Sequence, residues 1–165
     1  MRGDDDHCAE LAALYKKLSP GLIRYLRWQL QHSRSLAEDI AQEAFLIMCR
    51  RWADIRNHPN LKAYLYKVAR HLTAKTMAKR SHELLREEPP DQTGAEWDDP
   101  SDSYNLSLAV REALGKLPRR QREAVWLYYF DRFKQNEIAE IMQIQRGAVA
   151  ALLFQARNRL AEFLG

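Results

Sequence analysis

The sequence predicts an all-α protein: two small helical domains joined by an acidic flexible linker. Three observations carry that expectation. Apolar residues recur at three- and four-residue spacing through most of the chain, and no stretch alternates long enough to form a strand. Charge changes sign twice: residues 1–80 hold 15 Lys or Arg against 8 Asp or Glu, residues 81–103 hold 1 against 8, and residues 104–165 hold 10 against 6. The last third sets two apolar helical patterns on either side of a short polar turn, so the C-terminal domain has the outline of a helix-turn-helix. With 165 residues, 46% of them hydrophobic, and only six Gly and six Pro, the chain has material for two packed cores. The expected domains are residues 1–80 and 104–165, with 81–103 as the linker.

The chain opens on MRGDDDHC, acidic where a secretory signal would be basic, and a frayed terminus is expected there. His7 beside Cys8 is at most half a metal site; no further pair stands in reach, and the only other cysteine is Cys49, so no metal is expected. No apolar run approaches the roughly 18 residues of a membrane span, and together these features place the chain in a reducing cytoplasm, without membrane insertion. Leu11, Leu14 and Leu18 form a stripe on a first helix, and Leu22, Tyr25 and Leu26 on a second, with a break expected at Ser19-Pro20-Gly21. Ser35 with Glu38 reads as a capping box opening a helix whose inner face carries Ile40, Ala44 and Ile47, extended by Phe45, Met48 and Trp52. After the break RNHPN, Pro59 suits the first turn of a helix over residues 61–80 that buries Leu61, Leu65, Val68 and Leu72.

Residues 81–103, SHELLREEPPDQTGAEWDDPSDS, carry three Pro, a Gly and the acidic cluster with little periodicity, the composition of a tether. Helical patterns resume over residues 106–114, ending at Gly115, and from Pro118 through Phe130. The final pair uses Ile138, Ile141 and Ile144 with Val149, Leu153, Ala156 and Leu160 as the core of two crossed helices, turning at residues 143–145. No internal repeat is visible.

Three surfaces carry chemistry. Asp39, Gln42, Glu43 and Leu46 stand at i, i+3, i+4 and i+7, so they share one outward face, which is either a solvated polar face or a docking surface for a basic protein helix. The helix after RNHPN offers Lys62, Lys67, Arg70, Lys75, Lys79 and Arg80 interleaved with Tyr64, Tyr66 and His71. Such cations neutralise phosphates, and aromatic faces stack on unpaired bases, although a merely solvated basic helix has the same composition. The RNHPN loop itself has the amides and the fixed turn needed to hold an extruded base by its edges. In the helix-turn-helix, Gln145, Arg146, Ala150, Phe154 and Gln155 fall where a recognition helix meets base edges, while Arg157, Arg159, Arg119 and Arg120 fall where phosphates would be held. An ordinary helical hairpin would share this pattern.

Taken together, the chain resembles a bacterial RNA polymerase sigma factor of the extracytoplasmic-function (ECF) group over nearly its full length. LAALYKKLSPGLIRYLRWQL, AEDIAQEAF and LKAYLYKVARHLTAK are similar to the promoter-melting region 2; LGKLPRRQREAVWLYYFDRFKQNEIAEIM and GAVAALLFQARNRL are similar to region 4. The resemblance implies a dissociable subunit that binds core RNA polymerase and directs it to promoters. It implies that Asp39, Gln42, Glu43 and Leu46 dock on the β′ clamp helices. It assigns Arg56, Asn57, Asn60, Tyr64, Lys67, Arg70, His71 and Lys75 to capture and melting of the minus-ten element. Arg119, Arg120, Gln145, Arg146, Ala150, Phe154, Gln155, Arg157 and Arg159 fall to the minus-thirty-five element. The partners it implies are core polymerase (β′ clamp helices and β flap), promoter DNA, and an anti-sigma factor or other regulator, around a chain that is a monomer when free. No cofactor is expected.

Departures from the family pattern bear on specificity. His71 stands where Asn is usual, Tyr64 where Trp is usual, and Lys134 replaces the Ser or Thr that caps the first helix of the final pair. Ala150, Ala151 and Leu152 replace Lys, Ser and Arg on the recognition helix, so base preference there falls to Arg146, to thymine methyl contacts from Ala150 or Phe154, and to DNA shape. Two other classes compete: a dimeric helix-turn-helix regulator, and a sigma-like adaptor that binds polymerase or an anti-sigma factor without using DNA. An enzyme finds no support, since no nucleophile–base pair, phosphate-binding Gly loop or metal set is present.

Overall fold

A computed structural model describes residues 2–30, 33–84 and 106–165. Among these residues the secondary structure is helical throughout, with no strand, and the chain divides into two compact units, Met1–Trp97 and Asp98–Gly165. The all-α class holds, with two helical regions separated by the acidic segment.

The first unit is built from α1 (Arg2–Gln29), α2 (Arg34–Arg50), the single turn α3 (Trp52–Ile55) and α4 (Leu61–Leu84). α1 runs unbroken where two helices are expected, with Pro20 in its interior. A proline inside a helix costs about 3 kcal/mol or more, through the lost N–H and the clash with the carbonyl four residues back. Against it stand Leu18, Leu22, Tyr25 and Leu26, all buried around the proline, at about 1.5–3 kcal/mol for each large apolar side chain. Burial wins. The frayed terminus is also corrected: α1 begins at Arg2, and His7 reaches the end of α3, its Nε2 lying 3.0 Å from Arg56 Nη1. Arginine can only donate, so the imidazole nitrogen accepts.

α2 is capped two residues earlier than the sequence pattern indicates. Ser33, not Ser35, is the N-cap, its Oγ accepting the Leu36 amide at 3.4 Å, and Glu38 pairs instead with Arg34 (3.2 Å). Its inner face buries Ala37, Ile40, Ala41, Ala44, Phe45 and Met48. Phe45 meets the edge of Tyr15 with ring centroids 4.6 Å apart, which ties α1 to α2. α4 extends to Leu84, past the expected end at Arg80, because the shift to acidic composition there contains no backbone breaker before Pro89. Leu65 and Leu72 are buried as expected, but Leu61 and Val68 are only partly covered, and the middle of the core is taken by Ala63, Tyr66 and Ala69. Residues 85–103 of the expected linker lie outside the described residues.

The second unit comprises α5 (Leu108–Lys116), α6 (Arg119–Val125), a π-helical turn (Trp126–Phe130), α7 (Gln135–Met142) and α8 (Arg146–Leu164). Ser107 caps α5 by accepting the Val110 amide at 3.3 Å, so the helix starts later than residue 106 and passes through Gly115 to Lys116. Pro118 stands before α6 as expected, but the α-helix does not reach Phe130. At Trp126 the pitch widens: Asp131 N–H donates to the Trp126 carbonyl five residues back (3.2 Å), and Phe133 N–H to Leu127 (2.9 Å). Past the wider turn Arg132 adopts the left-handed conformation (φ 59°), and Phe133 joins Trp126 and Leu127 in the core. Ile138, Ile141, Val149, Leu153 and Ala156 close the core between α7 and α8.

Candidate nucleic-acid interface

On α2 the period that buries Ile40, Ala44 and Met48 sends Asp39, Gln42, Glu43 and Leu46 outward, and all four are exposed. Leu46 is 55% exposed, an apolar side chain on an otherwise polar face. Phe45, next to it in sequence, belongs to the core.

The RNHPN loop is tied down by its own side chains. The Asn60 amide donates to His58 Nδ1 at 3.0 Å, and Asn60 Oδ1 accepts the Ala63 amide at 3.0 Å, which makes Asn60 the cap of α4. The His58 ring packs on Tyr64 with centroids 5.5 Å apart, and Tyr64 OH accepts from Arg51 Nη1 at 3.0 Å. Asn57 and Arg56 are exposed on this loop. Beyond it Tyr64, Lys67, His71 and Lys75, at i, i+3, i+7 and i+11, form one strip along α4, with Arg70 one step around the helix. His71 and Lys75 are exposed, while Tyr64, Lys67 and Arg70 are half-buried. Tyr66 departs from the expected aromatic face: it is fully buried, its ring 5.1 Å from that of Tyr25, so it cannot stack on a base.

In the second unit α7 and α8 cross at a tight turn. Gln143 adopts the left-handed conformation (φ 55°), Ile144 N–H returns to the Ala139 carbonyl (3.1 Å), and Gln145 precedes α8 in extended geometry. Lys134 has no hydroxyl with which to cap α7; Glu137 Oε1 accepts the Lys134 amide instead (2.9 Å), which is one half of a capping box. On α8, Arg146, Ala150, Phe154 and Arg157 follow one strip at i, i+4, i+8 and i+11. Ala148, Ala150, Ala151 and Phe154 are exposed, Phe154 to 65%. Gln155 and Arg159 lie on the other flank, where Gln155 Oε1 accepts from Gln121 Nε2 of α6 (3.3 Å). Arg119 and Arg120 are exposed at the start of α6.

A helix-turn-helix in one unit and a tied loop leading into a basic helix in the other coincide with two family descriptions. Residues 14–83 match "Sigma-70 region 2", and residues 107–160 match "Sigma-70, region 4". The chain belongs to the sigma-70 family. It is similar to the ECF RNA polymerase sigma factor SigM of Bacillus subtilis (strain 168), 28% identical over 153 residues that span 89% of this chain and 90% of SigM. SigW of the same organism is 27% identical over 178 residues, spanning 99% of this chain and 91% of SigW. Among solved structures, the sigma factor RpoE of Bartonella quintana, crystallised with the anti-sigma factor NepR, superposes with a TM-score of 0.71 at 25% identity, covering 94% of this chain and 96% of RpoE. With both sigma-70 regions present and ECF sigma factors among its relatives, the chain is an RNA polymerase sigma factor that directs promoter-specific transcription initiation.

Two guanidinium groups of the sigma factor are perturbed. Arg122 is pushed down by burial and then by the neighbouring Arg119, and Arg157 is pushed up chiefly by its hydrogen bond to Tyr129; both remain cations at neutral pH. Among the described residues no group of three or more His, Cys, Asp or Glu is placed to hold a metal, and no helix is long and apolar enough to cross a membrane. Sequence reading missed His58, Arg51 and Tyr129. His58 meets Tyr64 only because the loop folds back on the start of α4, and the π turn that presents Tyr129 leaves no trace in periodicity.

The loop geometry separates the two asparagines of the sigma factor. Asn60→Ala is expected to lower stability by about 0.5–2 kcal/mol through loss of the cap, with Asn60→Asp or Asn60→Ser restoring it. Asn57→Ala, at an exposed position, is expected to stay within about 0.5 kcal/mol of the parent. Its loss should appear in open-complex formation, larger on duplex promoter than on a pre-melted bubble, because extruding a base costs a few kcal/mol that the loop must offset. Urea denaturation and transcription from the two templates measure the pair. Equal activity loss on duplex and bubble for Asn57→Ala would make Asn57 structural.

Proposed function

We propose that residues 1–80 carry core docking and minus-ten melting, that residues 104–165 carry minus-thirty-five recognition, and that 81–103 is their tether. Asp39, Gln42, Glu43 and Leu46 form the face for the β′ clamp helices; Arg56, Asn57 and the α4 strip engage the opened strand. On the second unit Arg119, Arg120, Arg157 and Arg159 hold phosphates, with the β flap as the polymerase partner, and Gln145, Arg146, Ala150 and Phe154 face the groove, while Gln155, bonded to Gln121 on the other flank, braces α8 against α6. The factor works in the cytoplasm as an initiation subunit without enzymatic activity of its own. Its likeness to RpoE, solved with NepR, supports an anti-sigma factor as regulator.

The observation that carries the reading of α8 is the alignment of Arg146 and Arg157 on one exposed strip whose intervening positions are Ala150 and Phe154. Such a helix positions itself by phosphates and reads few bases. In the reconstituted holoenzyme, Arg157→Ala and Arg159→Ala should each weaken binding to all duplex promoter fragments alike and lower the slope of log affinity against log salt by about one. Arg146→Ala should relax preference at one position, for roughly 1–3 kcal/mol. The exposed Phe154 favours a second reading, in which α8 binds protein rather than DNA; salt slopes unmoved by all three substitutions would select it.

A further inference from the structure

The π-helical turn delivers two tyrosines to one arginine. Arg157 Nε donates to Tyr129 OH at 2.8 Å, and the guanidinium carbon lies 5.8 Å from the ring centroids of both Tyr128 and Tyr129. The rings stand edge to face, 81° apart with centroids at 4.9 Å, so together they form a corner rather than a flat platform. Tyr129 is 49% exposed, an unusual place for a large aromatic ring in this small unit, and Arg157 is exposed above it. A flexible cation on a helix surface normally samples many rotamers. Here the ε N–H, one of the five guanidinium donors, is held by a phenol, and the remaining four lie on the two terminal nitrogens. An arginine held by its ε nitrogen keeps its outer edge for the two parallel hydrogen bonds that a phosphate accepts.

We propose that Tyr129 is a positioning residue: it orders Arg157 before DNA arrives, so that the outer guanidinium edge is already aimed at a backbone phosphate. The inference rests on the reading of Arg157 as a phosphate contact. It also gives the π turn a function. A regular α-helical continuation from Val125 would carry residues 128 and 129 further round the helix axis, and the phenol would shift away from Arg157.

Tyr129→Phe removes the hydroxyl and keeps the ring, so the unit should fold with unchanged thermal unfolding. The test is a double-mutant cycle on the reconstituted holoenzyme with Tyr129→Phe, Arg157→Ala and both together, titrated with duplex promoter DNA over a range of salt. Releasing one ordered, rotamer-rich side chain corresponds to roughly two- to tenfold in affinity. Tyr129→Phe should therefore weaken binding by that factor while leaving the salt slope intact, since no charge is lost. In the Arg157→Ala background the same substitution should have no effect. Equal weakening in both backgrounds would mean that Tyr129 meets DNA or polymerase itself, and would overturn the proposal. So would full affinity of Tyr129→Phe alongside a weakened Arg157→Ala, which shows an arginine that needs no positioning. If Arg157→Ala alone changes neither affinity nor slope, the phosphate reading fails first and the positioning role with it.

Discussion

Asp39→Lys combined with Glu43→Lys is expected to lower affinity for core RNA polymerase by about ten- to a hundredfold, the scale set by placing like charges in an interface that was complementary. Both side chains are exposed on the face of α2 opposite Ile40, Ala44 and Met48, so neither contributes to the packing of the unit. Their reversal should change stability by no more than about 0.5 kcal/mol each. Leu46, 55% exposed at the end of the same face, would give the proposed docking surface an apolar contact that salt does not screen. Leu46→Ala should consequently weaken binding at high and low salt alike, whereas the charge reversals should matter most at low salt. Titration of labelled chain with core polymerase at two ionic strengths separates the contributions. Parent-like affinity in the double reversal would move the docking face off α2.

Tyr66→Ala is expected to cost about 3–5 kcal/mol, the scale for deleting a fully buried aromatic ring. Tyr66 lies in the centre of the first unit, against Tyr25 of α1, with Lys62 Nζ 5.9 Å from its ring centroid. Small domains are stable by only about 5–15 kcal/mol, so this single change removes a large fraction of the total. The loss should be seen as a lowered urea midpoint. Tyr66→Phe, which keeps the ring, should retain most of the stability and nearly all promoter melting. Tyr66→Ala with a parent-like urea midpoint and failed promoter melting would place the ring at the DNA surface after all.

Tyr66 also shows where the sequence runs out. The alternation of cations and aromatic rings in LKAYLYKVARHLTAK is the composition of a strand-binding helix, and Lys67, His71 and Lys75 do share a strip with Tyr64. Yet a tyrosine two residues from Tyr64 points to another side of the helix, and composition alone does not say which ring goes inward. The outward face of α2 is legible because Asp39, Gln42, Glu43 and Leu46 are fixed by the strong apolar period of their own helix. At Pro20 the local backbone cost predicts a break, but the burial of Leu22 and Tyr25 around it outweighs that cost. Ser35 misled because Ser33, two residues earlier, offers the same hydroxyl, and only the chain entry decides between them. The π turn at Trp126 had no sequence signal at all: five consecutive apolar or aromatic residues fit either pitch, and packing of Trp126 with Phe130 (centroids 4.4 Å) settles it.

The most direct measurement is run-off transcription with purified core polymerase and this chain over a promoter library, in parallel with the Asp39→Lys, Glu43→Lys variant. A sigma factor that docks through α2, opens DNA at the RNHPN loop and reads sparingly through α8 should start transcripts from a defined set of promoters, and the variant should abolish them. Transcripts that do not depend on promoter sequence, or a chain that binds core polymerase tightly yet starts none, would contradict the account.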